Sequence, residues 1–257
     1  MFLLNVVSAN LRKVATEMRR YLPNTISMIV TIYAIFLMFF LGIKFIGDPS
    51  NAEANTQYMI VTTVMWFLTL MAMQGIGWEI TTEATRGTLE QLYMSPVPAW
   101  FILFSRMLAT ILLNLIVYAV ILVLIMATSG QWLRFDWLTL IPLFLISLLG
   151  MIGVGFMIAG LALIFKQIQA FLQIAQFIFL AMVAVPVGLS PYLELVPVVR
   201  ASSMIREAMT SGTSLVAFGA SAWLLLVLNA LIYFVLGVFV YKRAEARAMN
   251  FGLLGQY

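Results

Sequence analysis

The chain has 257 residues, 63% of them hydrophobic and 9% charged, with a formal net charge of +4 and neither cysteine nor histidine. A soluble domain carries about 25% charged residues, so the solvent of this chain is lipid and it reads as an all-α integral membrane protein. The missing residue types exclude disulfides, Cys/His metal sites, thiol chemistry and a Ser-His-Asp triad, and the basic balance suits membrane anchoring rather than nucleic-acid binding.

Residues 1–23 lack the apolar core and cleavage site of a signal peptide. Leu4, Val7, Leu11, Val14 and Met18 recur at helical spacing, with Arg12, Lys13, Arg19 and Arg20 off that stripe and Pro23 closing the pattern. This pattern predicts an amphipathic helix on the membrane surface, its basic side toward anionic headgroups. Apolar stretches follow at 25–46, 57–77, 100–127, 138–165, 168–188 and 220–241. By length these are six spans in a single transmembrane domain covering 1–257. With the N-terminus inside, Arg12, Lys13, Arg19, Arg20, Arg86, Arg106, Lys166, Lys242, Arg243 and Arg247 face the cytoplasm, and Lys44, Arg134, Arg200 and Arg206 face out. That imbalance follows the positive-inside rule, so both termini are expected in the cytoplasm of a multi-pass cell-membrane protein.

Between the second and third spans runs WEITTEATRGTLEQLYMSPVPAW, residues 78–100. Glu79 and Glu83 are four apart, and Glu83 is three from Arg86, so one helical turn brings these charges together. Gly87 is a natural helix stop. Thr88 with Gln91 reads as a capping box opening a helix over Thr88–Met94, with an apolar stripe of Leu89, Leu92 and Tyr93 and a stop at Ser95-Pro96. Two turns do not hold in water alone. The stripe either packs on the chain's own helix ends or docks a soluble partner.

Glu79, Glu83, Gly87, Thr88, Leu89, Glu90, Leu92, Ser95, Pro96 and Val97 together resemble the loop of type-2 ATP-binding-cassette exporter permeases, closer to the drug-exporter branch than to the polysaccharide branch. In that family the loop carries a coupling helix seated on the ATPase subunit, so the resemblance implies that role for Glu79 through Pro96, Arg86 and Tyr93 included. It also implies two ATPase copies that bind ATP and Mg, and a second permease copy or paralogue. No G-x-x-x-x-G-K-[ST] phosphate loop occurs in the sequence, which agrees with ATP hydrolysis in a separate subunit and with a transport role rather than an enzymatic one. Hydrophobic or amphipathic small molecules or lipids are the expected cargo. A lipid-linked polysaccharide is the alternative cargo, and a partner-independent secondary transporter the rival class.

All ten acids fall at span ends or in loops, which disfavours proton coupling. A membrane-embedded enzyme would need a cluster of acids or a nucleophile–base pair, and none stands at suggestive spacing. Gly150, Gly153, Gly155 and Gly160 make the fourth span small-sided, for close helix packing. Gln169, Gln173 and Gln176 share one face of the fifth span and either line the translocation path or bond between helices. Asn114 and Asn229 read as structural amides. Before the last span, Pro186, Pro191 and Pro197 break a rather apolar stretch in which Val198, Ala201, Ile205 and Ala208 form a short stripe. The resemblance implies short external re-entrant helices there, the alternative being a helix resting on the outer leaflet. Glu194 with Arg200 or Arg206 forms a candidate gate ion pair, weak if exposed.

Overall fold

Apolar runs in lipid fold as helix because each backbone N–H and C=O then finds its partner within the segment. The computed structural model of the chain describes residues 2–46, 48–165, 168–186 and 190–252, and contains no strand among them. In chain order the helices are α1 (Phe2–Arg20), α2 (Leu22–Ile46), α3 (Ala52–Thr85), α4 (Leu89–Tyr93), α5 (Ala99–Ser129), α6 (Trp137–Phe165), α7 (Gln169–Ala184), α8 (Val199–Ser211) and α9 (Gly219–Asn250). Short 3-10 turns at Pro49–Asn51 and Pro191–Leu195 precede α3 and α8.

Among the described residues four helices, α2, α5, α6 and α9, are long and apolar enough to cross a membrane. A fifth is α3, if its arms Ala52–Ala72 and Gly75–Thr85, bent by 40°, form one span. The predicted fifth span at 168–188 is shorter than expected. Its helix α7 has 16 residues, or about 24 Å at 1.5 Å per residue, less than the roughly 30 Å of hydrocarbon. Pro186 explains the early stop, because a residue before proline is pushed out of the helical region, and Val185 is extended at ψ 129°. The end of that predicted span, 187–188, and Lys166 lie outside the described residues.

Two other helices outrun their apolar stretches. The predicted second span ended at 77, yet α3 continues to Thr85 and carries Glu79 and Glu83 with it. No breaker stands before Gly87, and both acids meet a partner described below. Likewise α9 continues past 241 to Asn250 and stops only at Gly252. In α1 the predicted segregation holds: Leu11, Val14 and Met18 are half-buried while Arg12, Lys13, Arg19 and Arg20 are exposed. Pro23 does not end α1 as expected but sits in the first turn of α2, where its missing N–H costs nothing.

The centre of the fold is α6, with 67% of its apolar window buried, against 11% in α2 and 17% in α9. Large side chains cover the outside of α2 and α9, among them Val30, Met38, Phe45, Ile232, Val235 and Phe239, as expected for surfaces that meet acyl chains. The glycines of α6 act as the sequence implied. At Gly153 an added methyl would collide with the carbonyl of Tyr233, and at Gly237 with the backbone of Gly153. With no side chains between them, α6 and α9 pack backbone to backbone, which in lipid replaces the missing hydrophobic drive.

Gly237→Ala should therefore lower the thermal midpoint of the purified chain, since overpacking a tight contact costs about 1–3 kcal/mol. Gly42→Ala, where nothing lies within 4 Å of the new methyl, should leave the midpoint unchanged or raise it through helix propensity. A thermal-unfolding scan of both variants in detergent checks the contrast.

Candidate functional site

At the C-terminal end of α3 the chain closes a Schellman motif. The Thr88 N–H donates to the Glu83 carbonyl at 2.9 Å and the Gly87 N–H to the Ala84 carbonyl at 3.0 Å, with Gly87 at φ +68° as the left-handed residue this ending needs. Helix α4 starts directly after it. Leu89 and Leu92 are buried, Tyr93 is half-buried, and Glu90, Gln91 and Met94 are exposed. The apolar stripe is thus held by the chain's own helix ends, which is what lets five residues stay helical.

The predicted capping box does not form. Thr88 is the N-cap residue but makes no side-chain cap hydrogen bond. Its hydroxyl donates to a carboxylate oxygen of Glu83, an ionised acceptor stronger than the neutral groups a capping box offers. The predicted Glu83–Arg86 contact is also replaced. Arg86 is exposed, and both acids turn instead to Arg106 in the second turn of α5. Its Nη1 donates to Glu79 Oε2 at 3.0 Å and to Glu83 Oε1 at 2.6 Å. The Arg106 side chain is 17% exposed and that of Glu83 14%, while Glu79 is 35% exposed, so the Arg106–Glu83 pair is largely desolvated, Glu79 is half-buried, and the two acids depend on one shared cation.

Three further ties converge here. Asn10 of α1 is buried and donates to the Ser105 hydroxyl, next to Arg106. The hydroxyls of Tyr93 and Tyr241 meet at 2.9 Å, joining α4 to α9. Burial of the Tyr93 phenol pushes its pKa well above the ordinary value, so it remains a neutral hydrogen-bonding group. Finally, Ser95 accepts from the Val97 N–H at 3.3 Å and stiffens the Pro96 turn into α5. The sequence reading had Arg106 only as a charge to be counted. A lone arginine early in an apolar span needs a partner, and two acids four apart on the preceding helix were the available one. Glu79 also borders an apolar crevice of about 520 Å³ between α2, α3 and α5, walled by Met28, Ile32, Met71, Trp78 and Met107.

The other predicted site residues stand apart from this cluster. Gln169 and Gln173 are exposed and Gln176 half-buried, along the edge of the buried α7 stripe of Leu172, Ala175, Phe179 and Val183. Among the described residues their side-chain amides make no hydrogen bond. Of the two candidate gate pairs one is present: Arg200 Nη1 lies 2.6 Å from Glu194 Oε1. Arg206 turns away, into the protein. Asn229 has the structural role expected, donating to the carbonyls of Glu194 and Leu195 at 3.0 and 2.9 Å. Asn114 donates to the Thr110 carbonyl of its own helix at 2.8 Å.

A family model described as ABC-2 family transporter protein matches residues 43–239. No curated protein and no solved structure matches the chain.

Removing the shared cation should expose how the triad is coupled. Arg106→Met leaves two carboxylates facing each other at a desolvated helix end and should cost about 3 kcal/mol. Adding Glu83→Gln should restore part of the loss, a non-additivity that a double-mutant cycle on detergent stability measures directly.

Proposed function

The chain belongs to the ABC-2 family of transporter proteins, and from that premise we propose that it is the permease subunit of an ATP-driven exporter in the cell membrane, moving a hydrophobic or amphipathic small molecule or lipid. In this reading α7 is the fifth of six spans and both termini are cytoplasmic. Helix α1 lies at the membrane surface, and two permeases work with two ATPases that bind ATP and Mg.

The observation that carries the proposal is the Arg106–Glu79–Glu83–Thr88 network. A five-residue helix with an exposed polar face is tied by charge to the ends of two long apolar helices. A push on α4 cannot be absorbed locally, because displacing Thr88 or Glu83 strips a desolvated charge of its partner. Glu90, Gln91 and Met94, with Arg86 beside them, form the face offered to the ATPase, while Leu89, Leu92 and Tyr93 transmit its movement into α3, α5 and α9. Closing of the ATPases on ATP then tilts these helices and shifts a cavity from inward- to outward-open. The α7 glutamines line the side of the path that meets the second permease, and the Glu194–Arg200 pair closes the exit. The apolar crevice beside Glu79 favours a greasy cargo over a glycan.

Purifying the tagged chain from its native host in mild detergent should bring down, in stoichiometric amount, a polypeptide with a phosphate-loop ATPase sequence, identified by mass spectrometry. Glu90→Lys combined with Met94→Asp, both on the exposed face, should lose that companion while the permease stays folded. A chain that reproducibly purifies without a companion contradicts the proposal.

A further inference from the structure

Arg206 is a permanent cation that is 7% exposed. It sits on the buried face of α8, which the sequence pattern assigned to Ala201, Ile205 and Ala208. Its guanidinium lies 3.7 Å from the centre of the Tyr58 ring. Nη2 donates to the Val183 carbonyl at 2.8 Å and to the Thr62 hydroxyl at 3.4 Å, and Nε is buried without a partner among the described residues.

None of these contacts carries negative charge. The acids on neighbouring elements are engaged or exposed: Glu194 is held by Arg200, Glu207 is exposed and accepts from Thr213, and Glu53 is exposed at the start of α3. No residue outside the described ones is an aspartate or glutamate. A cation–π contact and neutral acceptors offset only part of the several kcal/mol that burying a cation costs.

Tyr58 and Thr62 also line a crevice of about 460 Å³ between α2, α3 and α7. These two residues are thus shared between the guanidinium and the crevice, which Arg206 itself does not line. The remaining walls are mostly apolar, with Phe39, Ile43, Trp66 and Leu180 prominent and Asn55 and Thr63 the further polar residues, and no acid or base is among the lining residues. The volume is that of a pocket for one small ligand, and the polarity runs from a buried positive end into a greasy body.

We propose that this crevice binds a single-chain anionic amphiphile, its carboxylate drawn to Arg206 and its acyl chain laid along Phe39, Ile43 and Trp66. The carboxylate replaces the Thr62 hydroxyl beside Nη2 and supplies the missing negative charge. A lipophilic cation is disfavoured in the same place by Arg206 itself. The strained corner that aims α8 fits this role: Val198, at φ +74°, is the only non-glycine residue with positive φ among the described residues, a conformation costly for a β-branched side chain and concentrated at functional sites. This assignment rests on the exporter reading for its meaning as cargo. Binding itself needs no ATPase, so the two fail separately.

The test uses the purified full chain and a dibrominated long-chain fatty acid, which quenches tryptophan at contact range, against its methyl ester at alkaline pH. The acid should quench at about tenfold lower concentration than the ester, a charge-assisted contact being worth at least that factor. The acid's advantage over the ester should disappear in Trp66→Phe, because the exposed Trp78, Trp100, Trp132 and Trp137 respond to both alike, and Arg206→Gln should bring acid and ester to the same concentration. Equal quenching by acid and ester in the wild type overturns the proposal even if Arg206→Gln fails to fold, as does a preference for the acid that survives Arg206→Gln.

Discussion

A charge at the edge of lipid must find an opposite charge inside the protein, and one arginine answers for two acids here. Arg106 holds Glu79 and Glu83 with a single terminal nitrogen. The consequences spread outward from that contact. Helix α3 extends past its apolar stretch because its acids are neutralised. Thr88 is drawn to Glu83 rather than to its own helix start, and α4 is fastened where it leaves the membrane-spanning bundle. Each of these is a local choice that makes sense only with the partner supplied by α5.

The interior is built on two different principles. Along α6 and α9 glycines and alanines meet backbone, with Phe156 against Tyr241 beside them, which makes a close seam with little polar chemistry. Around α3, by contrast, polar contacts occur at both ends. Arg106 and Thr88 engage its C-terminal end, and Arg206, Tyr58 and Thr62 cluster near its N-terminal end. The close α6–α9 seam thus stands beside a helix bent by 40° near residues 72–75 and tied by polar contacts at both ends.

Much of this was legible from the residues. Length and apolarity located the helices, the small-residue run in the fourth apolar stretch announced the tight seam, and Gly87 marked the end of α3 because only a left-handed residue fits there. What escaped were features whose energy lies in long-range pairing. The local pattern Thr88–Gln91 looks like a capping box whatever lies nearby, and only the three-dimensional fold brings the Glu83 carboxylate into competition. Arg106 and Arg206 read as two more basic residues, yet one ends in a triad and the other under a tyrosine ring. The early end of α7 lies in Pro186, which forces Val185 out of the helical region whatever the hydropathy of the stretch.

The most direct measurement is the transport achieved per ATP by the reconstituted permease–ATPase complex carrying Thr88→Val and Tyr93→Phe. These changes remove both polar tethers of α4 and leave Leu89 and Leu92 packed. At about 1 kcal/mol for each of the two hydrogen bonds, hydrolysis should continue while transport per ATP falls roughly thirtyfold. A complex that assembles, hydrolyses ATP and transports with undiminished yield would show that α4 does not drive the spans through these contacts.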